Sequence, residues 1–279
     1  MLSLFLTLFF ASSLAVTALI VLVWAVSLKI KDASIIDLVW GAGFGLVALL
    51  CLYLVSRNFD LSPYLVLLAA LPTIWAARYS AYIWWRNIGH GEDKRYTAMR
   101  ELTSEKNWPW FLLFRVYAFQ ILAMIVVALP ITIGLASAAI YGTSISALAV
   151  IGMLMWAFGV AFEGIGDFQL ARFIKRKKEL GADVTGKVMD QGLWRYTRHP
   201  NYFGNAVLWW GIFVVAATTP WGWLSIIGPV FMNYALLKVS GAAHLERTLS
   251  QRPEYAAYME RTSQFIPRPP KADPIPQES

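Results

Sequence analysis

The 279-residue sequence is 58% hydrophobic and only 15% charged, with a net charge of +7. One soluble core cannot hide that much apolar surface, so the composition predicts an integral membrane protein. The positive charge does not indicate nucleic-acid binding, because the basic residues lie between apolar segments and form no soluble basic module. The single cysteine, Cys51, excludes a disulfide framework and a cysteine-based metal site.

Long apolar stretches recur along the chain. A helix needs about 20 apolar residues to cross a bilayer. Seven segments are predicted to do so, namely residues 3–28, 35–56, 62–85, 110–133, 145–167, 202–218 and 221–240. The first segment has no charge before Lys29, so we interpret it as a spanning helix rather than a signal peptide. The last two are short, and two re-entrant halves are the alternative for them.

The sequence therefore predicts an all-α protein with one membrane domain over residues 1–265. Residues 266–279 are rich in proline and are predicted to form a disordered tail. No internal repeat is visible, which gives no support to an inverted-repeat transporter.

Basic residues predict the orientation of the chain. They cluster after the first, third and fifth predicted helices and in the C-terminal region, whereas the opposite loops carry only Arg57. Because basic loops face the cytoplasm, this pattern predicts an odd number of spans with the N-terminus outside and the C-terminus cytoplasmic. The bilayer is the predicted partner, and no obligate protein partner is evident.

The stretch from residue 163 to 205, which is predicted to be cytoplasmic, has more charged and polar side chains than orientation of the chain in a membrane requires. Arg172 and Arg176 are four residues apart, so they share a helical face, with Lys175 beside them. Such a row can bind phosphates. The alternative is a juxtamembrane basic cluster that orients the chain or contacts anionic lipid.

A second motif follows within that stretch. Eight positions hold two arginines, two tyrosines, an imidazole and an amide, namely Arg195, Tyr196, Arg198, His199, Asn201 and Tyr202. Arginine suits phosphates, and tyrosine and asparagine suit a ribose or an amide, so the mixture favours a nucleotide ligand. No glycine-rich Rossmann fingerprint is present. The histidines His90, His199 and His244 are scattered, so no metal site is predicted.

The segment Arg198-His199-Pro200-Asn201-Tyr202-Phe203-Gly204 resembles a signature shared by several membrane enzyme families. These are the steroid 5-alpha-reductase family, the sterol reductases, and the isoprenylcysteine and phospholipid methyltransferases. Residues 36–41 and 91–96, and the region from Ser240-Gly241 to Pro267, are most similar to bacterial steroid 5-alpha-reductase homologues, which implies a bacterial inner membrane. The resemblance covers roughly residues 33–268.

The resemblance implies NADPH as the cofactor, bound from the cytoplasmic side. Asp167, Arg172 and Arg176 would then contact its ribose or phosphates, and His199, Asn201 and Tyr202 its pyrophosphate and nicotinamide. Tyr196 and Arg198 belong to the same expected set. The run from Lys175 through Lys177 to Lys178 supplies positive charge for a 2′-phosphate. Lys238, His244 and Glu246 are expected to complete this pocket, and a snorkelling lysine with surface ion pairs is their alternative interpretation.

Asp37 is the candidate acid on the substrate side. An ionisable residue in an apolar helix is a functional candidate, and we expect a protonated carboxyl that donates to a ketone. The family pairs a glutamate with a tyrosine, which implies Tyr79 or Tyr82 as the partner of Asp37. The alternative is an ion pair with Lys31 or Arg78.

Two further residues are expected to bind substrate, Trp40 as a wall against a flat ring and Arg78 beside Tyr82. Trp40 as simple packing is the alternative. Four residues of the following loop, Glu92, Asp93, Arg95 and Tyr96, are expected to order that loop over the cofactor.

Together these residues predict a membrane NADPH-dependent reductase of the 4,5 double bond of 3-oxo-4-ene steroids or similar enone lipids. One alternative is an S-adenosylmethionine-dependent membrane methyltransferase, although that cofactor has no phosphates for the lysine-arginine run to bind. Another is a non-enzymatic lipid-binding or transport protein, in which Asp37 and Arg78 form a relay or counter-ion pair.

Overall fold

The computed structural model describes residues 1–87, 89, 91–180, 188–239, 246 and 249–271. Within these residues every regular element is helical, which confirms the predicted all-α class. The long helices are α1 (Leu2–Ile30), α2 (Ile35–Ser56), α3 (Pro63–Asn87), α5 (Trp108–Tyr141), α6 (Ala147–Leu180), α7 (Pro200–Ala216) and α8 (Gly222–Val239). Two short helices, α4 (Lys94–Arg100) and α9 (Pro253–Arg261), lie in the connecting and C-terminal segments.

Six of these helices are long and apolar enough to cross a membrane, namely α1, α2, α3, α5, α6 and α8. Each predicted segment falls on a helix, including residues 202–218 on the 17-residue α7. The membrane character of the chain is therefore confirmed. The count of seven crossings and the outward N-terminus stay predictions.

Helix α6 is longer than the sequence analysis predicted. The predicted span ended near Asp167, but the helix continues to Leu180 over 34 residues. After Gly166 no glycine or proline interrupts the chain until Gly181, and the intervening residues are mostly good helix formers. Asp167, Arg172 and Arg176 therefore lie on one continuous helix rather than on a helix end and a loop.

The chain divides into two compact units. Unit 1 comprises Met1–Met153 and Gly211–Phe231, and unit 2 comprises Leu154–Trp210 and Met232–Ser279. In unit 1, α2 and α3 pack closely around the buried rings of Phe44 and Trp75, whose centroids are 5.9 Å apart. In unit 2, α6 and α7 pack closely, and the described C-terminal residues bond to the segment that precedes α7.

The C-terminal region is bonded further than the predicted tail boundary suggests. The amide of Arg268 donates to the carbonyl of Tyr196 at 2.9 Å, and that of Lys271 donates to Arg261 at 3.0 Å. Arg268 and Lys271 thus have backbone partners in unit 2, while residues 272–279 lie outside the described residues, so the predicted disordered tail stays a prediction.

Unit 1 contains a groove of about 430 Å³. It is lined by the start of α1 and the ends of α2 and α5, namely Met1, Ser3, Leu4, Thr7, Leu54, Arg57, Asn58, Phe59 and Ile140. None of the site residues expected from the sequence lines this groove.

Candidate functional site

Asp37 lies in the first turn of α2, where its carboxylate accepts bonds from two residues of a distant loop. Arg95 Nη2 donates to Oδ2 at 2.7 Å, and the phenol of Tyr96 donates to Oδ1 at 3.2 Å. The side chain of Asp37 is 21% exposed, and that of Arg95 is 36% exposed. Tyr96 itself is buried. These three residues form the Asp37 cluster.

The loop that supplies Arg95 and Tyr96 is fastened to the turn between α1 and α2. Glu92 Oε1 accepts the backbone amide of Ala33 at 2.8 Å and Arg100 Nη2 at 2.8 Å. The carboxylate of Asp93 caps α4 by accepting the amide of Arg95 at 2.9 Å, a standard N-cap interaction. The predicted ordering of this loop by Glu92, Asp93, Arg95 and Tyr96 is therefore found, whereas its position over a cofactor stays a prediction.

The charges in this cluster fix its protonation. Burial and the neighbouring negative charge of Asp37 raise the pKa of Tyr96, so the phenol keeps its proton. Burial opposes the charge of Arg95, but hydrogen bonds to Asp93 and the charges of Asp37 and Asp93 outweigh it and raise the pKa of the guanidinium. Burial likewise raises the pKa of Asp93, but its bonds to Arg95 outweigh that effect and lower it. Tyr96 is therefore a hydrogen-bond donor at neutral pH.

The tyrosine that bonds Asp37 in the structure is Tyr96. Tyr79 and Tyr82, which were expected to act with Asp37 on the substrate, lie on α3, and their part in the reaction stays a prediction. The cation that bonds Asp37 is Arg95, which replaces the alternative partners Lys31 and Arg78. These contacts span 58 and 59 residues of sequence, so no helical spacing indicates them. Only the run of charged and aromatic residues after α3 could have indicated these contacts, and it was interpreted as ordering the loop.

The other residues expected on the substrate side lie along α2 and α3. The ring of Tyr79 is 5.3 Å from that of Trp75 and packs where Gly41 of α2 has no side chain. The ring of Tyr82 lies 5.8 Å from the guanidinium of Arg86. Trp40 packs edge-on against Phe44 at 5.3 Å, which matches the packing interpretation, and Arg78 lies on α3 half-buried.

Unit 2 contains a buried network around Glu246. Its carboxylate accepts Arg198 Nε at 2.7 Å and Nη2 at 3.2 Å, a bidentate arrangement. His199 Nε2 lies 3.0 Å from Oε1, and Gln264 Nε2 donates to Oε2 at 3.0 Å. Burial raises the pKa of Glu246, but the bonds from His199 and Arg198 and the charge of Arg198 outweigh it and lower the pKa to about 2. Glu246 is therefore an ionised, fully engaged carboxylate.

Arg198 also fastens the C-terminal segment. Its Nη1 donates to the carbonyls of Met259 at 2.9 Å and Thr262 at 2.7 Å, and its backbone amide donates to Ser263 at 2.8 Å. Four of the five guanidinium N–H groups are thus matched to protein acceptors. This arginine holds the fold of unit 2, and its direct contact with a cofactor stays a prediction.

The residues after Arg198 begin α7 and contact α6. The ring of Tyr202 stacks on that of His199, with centroids 5.2 Å apart and planes 9° apart. Asn201 Nδ2 donates to Asp167 Oδ1 at 3.2 Å. The structure therefore pairs Asp167 with Asn201 and His199 with Tyr202, whereas the contact of these residues with a cofactor stays a prediction.

Arg172 and Arg176 lie on a different face of α6. At 100° per residue, they are rotated about 140° and 180° from Asp167, and both are exposed. Asp167 therefore faces α7 while the two arginines face outward, and contact of all three with one extended cofactor stays a prediction. Arg172 and Arg176 keep a shared face, which carries the positive charge of this helix.

The remaining expected contacts are scattered over unit 2. Tyr196 is 44% exposed, Lys177 is half-buried, and Lys238 is exposed near the end of α8. His244 lies outside the described residues.

The sequence places the chain in a family. The family described as "Protein of unknown function (DUF1295)" matches residues 23–262. The chain belongs to this family. It is also 25% identical over 274 residues to a fission yeast protein (Schizosaccharomyces pombe) described as uncharacterized protein C594.04c. That alignment covers 88% of this chain and 75% of the yeast protein. No solved structure matches the chain.

Proposed function

We propose that this protein is a membrane reductase that uses NADPH to reduce the 4,5 double bond of a 3-oxo-4-ene steroid or a similar enone lipid. The observation that carries the proposal is the Asp37 cluster, in which an ion-paired carboxylate holds a buried phenol at the entrance of an apolar helix. A flat, apolar ketone suits such a place, since its rings need lipid-like surroundings and its oxygen needs a hydrogen-bond donor.

Enone reduction places negative charge on the ketone oxygen as hydride reaches the far carbon of the double bond. A fixed hydrogen-bond donor near that oxygen lowers the barrier. Because Asp37 is ion-paired with Arg95, we assign the donor role to Tyr96 in place of the protonated Asp37 expected from the sequence. The pKa of Tyr96 is raised, so its phenol keeps its proton and would turn from Asp37 to the ketone. Arg95 would keep Asp37 paired during that change, because its bond to Oδ2 is separate from the bond made by Tyr96. A proton from solvent would then add at the carbon next to the ketone, so the double bond gains one hydride and one proton and NADPH leaves as NADP⁺.

The donor chemistry of unit 2 suits a phosphorylated nucleotide. Exposed Arg172 and Arg176, with Lys177 on the same helix, offer positive charge for phosphates. Asn201 and Tyr202 offer an amide and a phenol for uncharged parts of the molecule, and Tyr196 offers an exposed ring. NADPH, when bound, supplies the hydride. His199, Arg198 and Glu246 would hold the frame on which these contacts depend.

The family to which the chain belongs is described as of unknown function, and only its relationship to another membrane family supports the proposal. The membrane family to which the chain belongs is related to steroid reductases. The segment Arg198–Gly204 resembles an element that reductases share with membrane methyltransferases, so it does not decide between them. The phosphate-suited cations of α6 favour the reductase, because S-adenosylmethionine has no phosphate.

The test uses the purified full-length protein in detergent or nanodiscs, mixed with NADPH and a 3-oxo-4-ene steroid. We expect loss of the reduced-nicotinamide absorbance only when the steroid is present, together with a saturated ketone identified by mass spectrometry. Parallel samples contain S-adenosylmethionine with a prenylated or phospholipid acceptor, or steroid alone. A methylated acceptor, or steroid binding with no turnover under NADPH, would overturn the reductase proposal.

A further inference from the structure

Helices α6 and α7 approach each other closely in unit 2. A Cβ at Gly204 would lie 2.4 Å from the backbone nitrogen of Glu163, and one at Gly159 would lie 2.5 Å from the backbone nitrogen of Leu208. Because only hydrogen fits at these two positions, the two backbones are in direct contact. Side chains next to the contact are held in a fixed register.

Two acid–amide pairs lie in that register. Glu163 and Asp167 are one helical turn apart on α6, and Asn201 and Asn205 are one turn apart on α7. Asn205 Nδ2 donates to Glu163 Oε1 at 3.1 Å, and Asn201 Nδ2 donates to Asp167 Oδ1 at 3.2 Å. Glu163, Asp167 and Asn205 are all at least 94% buried, with exposed fractions of 3%, 5% and 6%.

The two pairs differ at the amide oxygen. Asn201 Oδ1 accepts the backbone amide of Tyr202 at 3.1 Å, so both ends of that amide are matched. Asn205 Oδ1 is buried and accepts nothing in the described structure. The orientation of the Asn205 amide follows from its partner, because the carboxylate of Glu163 must face the NH₂ end. A buried hydrogen-bond acceptor without a donor costs free energy. We therefore infer that a donor from outside the chain bonds to Asn205 Oδ1.

We propose that Asn205 Oδ1 accepts an N–H of the bound cofactor, namely the carboxamide of the nicotinamide ring, and that Glu163 is the positioning residue that aims it. This inference rests on the proposed function. A primary carboxamide matches this unpartnered acceptor because it offers N–H donors at the reactive end of NADPH, and a small shift of the surrounding side chains would admit it. Asn205 lies one turn from Asn201 on the buried side of α7, so the nicotinamide end would enter the dry part of unit 2 while the phosphates stay near its exposed cations.

The first test needs no variant. Binding of NADP⁺ to the purified protein is compared by calorimetry with binding of the 3-acetylpyridine analogue, in which a methyl ketone replaces the carboxamide. We expect NADP⁺ to bind about tenfold more tightly, as loss of one hydrogen bond predicts. Equal affinities would overturn the role of Asn205 and leave the proposed function standing.

The second test uses variants to find which residue causes the difference in affinity between NADP⁺ and the analogue. In Asn205→Ala the affinities for NADP⁺ and for the 3-acetylpyridine analogue should become equal, mainly because NADP⁺ binds more weakly. In Glu163→Gln the amide of residue 205 is free to reverse, so the ratio should also fall. Asn233→Ala is the matched control, since this residue also has an unmatched Oδ1 in unit 2 but lies outside the acid–amide pairs, and its ratio should stay near tenfold.

An unchanged ratio in Asn205→Ala overturns the inference alone. If neither nucleotide binds the wild-type protein, the proposed function and the inference fall together. If S-adenosylmethionine binds instead and its affinity depends on Asn205, the donor is an amine of a different cofactor, and both are overturned.

Discussion

At the scale of single residues, Asp37 and Tyr96 are expected to act in the chemical step. Replacing Asp37 by Asn removes the negative charge that pairs with Arg95, and replacing Tyr96 by Phe removes the donor to the ketone. We expect each change to lower kcat about 100-fold or more, as loss of a positioned acid group does, while NADPH binding changes less than about threefold.

Tyr82→Phe is the control for these variants, because Tyr82 lies beside Arg86 and makes no bond to Asp37. Its kcat should stay within about threefold of wild type. Steady-state kinetics and calorimetric binding measure both quantities. Full turnover in Tyr96→Phe, or a loss in Tyr82→Phe of the same size, would remove Tyr96 from the mechanism.

Glu246 gives unit 2 a specific response to acid. Its pKa is lowered from 4.5 to about 2 by its buried partners, so the folded state holds the ionised form more strongly than the unfolded state does. The resulting stability is fully present above the unfolded pKa and is lost as pH falls toward 2. The amount is on the order of 3 kcal/mol.

Thermal unfolding of the wild type and of Glu246→Gln between pH 6 and pH 2.5 measures this effect. The wild type should be more stable at pH 6, and the difference from the variant should shrink as the pH falls. Glu254→Gln is the control, since Glu254 is exposed, and it should follow the wild type at every pH. A constant difference between wild type and Glu246→Gln would contradict the account.

The sequence predicted Asp37, His199, Asn201 and Glu246 as candidate site residues because of their chemistry and motif. It did not identify the partners. Tyr96 reaches Asp37 across 59 residues, and Arg198 reaches Glu246 across 48, and only the packing of distant segments brings such residues together. The Glu163–Asn205 pair escaped notice for the same reason, since neither residue is unusual until the two helices meet.

At the scale of helices, α6 divides its functions between two faces. Asp167 faces α7, and Arg172 and Arg176 lie on the exposed side. The double variant Arg172→Ala/Arg176→Ala should raise the apparent KM for NADPH at least tenfold, because each charged contact to a phosphate is worth about 1.5–3 kcal/mol. The KM for the steroid should change less than about twofold.

Arg252→Ala is the matched control, since it removes an exposed arginine elsewhere in unit 2. Steady-state kinetics with each substrate varied in turn separates the two constants. If the double variant keeps its KM for NADPH but binds less to vesicles that contain anionic lipid, the exposed face of α6 contacts the membrane surface instead.

Helix positions were the most predictable part of the fold. Runs of about 20 apolar residues have one solution in a bilayer, so every predicted segment falls on a helix. The ends were less predictable, because α6 continues past its apolar part to Leu180 on helix-forming charged residues. That Asp167 and Arg172 face different sides of α6 could be worked out only once the helix was known to continue past Asp167.

At the scale of the whole molecule, the distribution of basic residues predicts one orientation. With Cys51 replaced by Ala, a cysteine at Asn58 should react with an impermeant maleimide from outside intact cells, and one at Ser104 should react only after the cells are opened. These positions lie in a loop with one basic residue and in a loop with several. Labelling of both cysteines from the same side would contradict the predicted topology.

The account as a whole stands on transfer of hydride from a nicotinamide to a lipid. The most direct measurement incubates the purified protein with NADPH that carries deuterium at C4, in separate 4R and 4S forms, and a 3-oxo-4-ene steroid, and analyses the product by mass spectrometry. We expect one of the two forms, and only one, to give a saturated ketone one mass unit heavier, with deuterium at C5. A product without deuterium from either form, or no reduced product at all, would contradict the account.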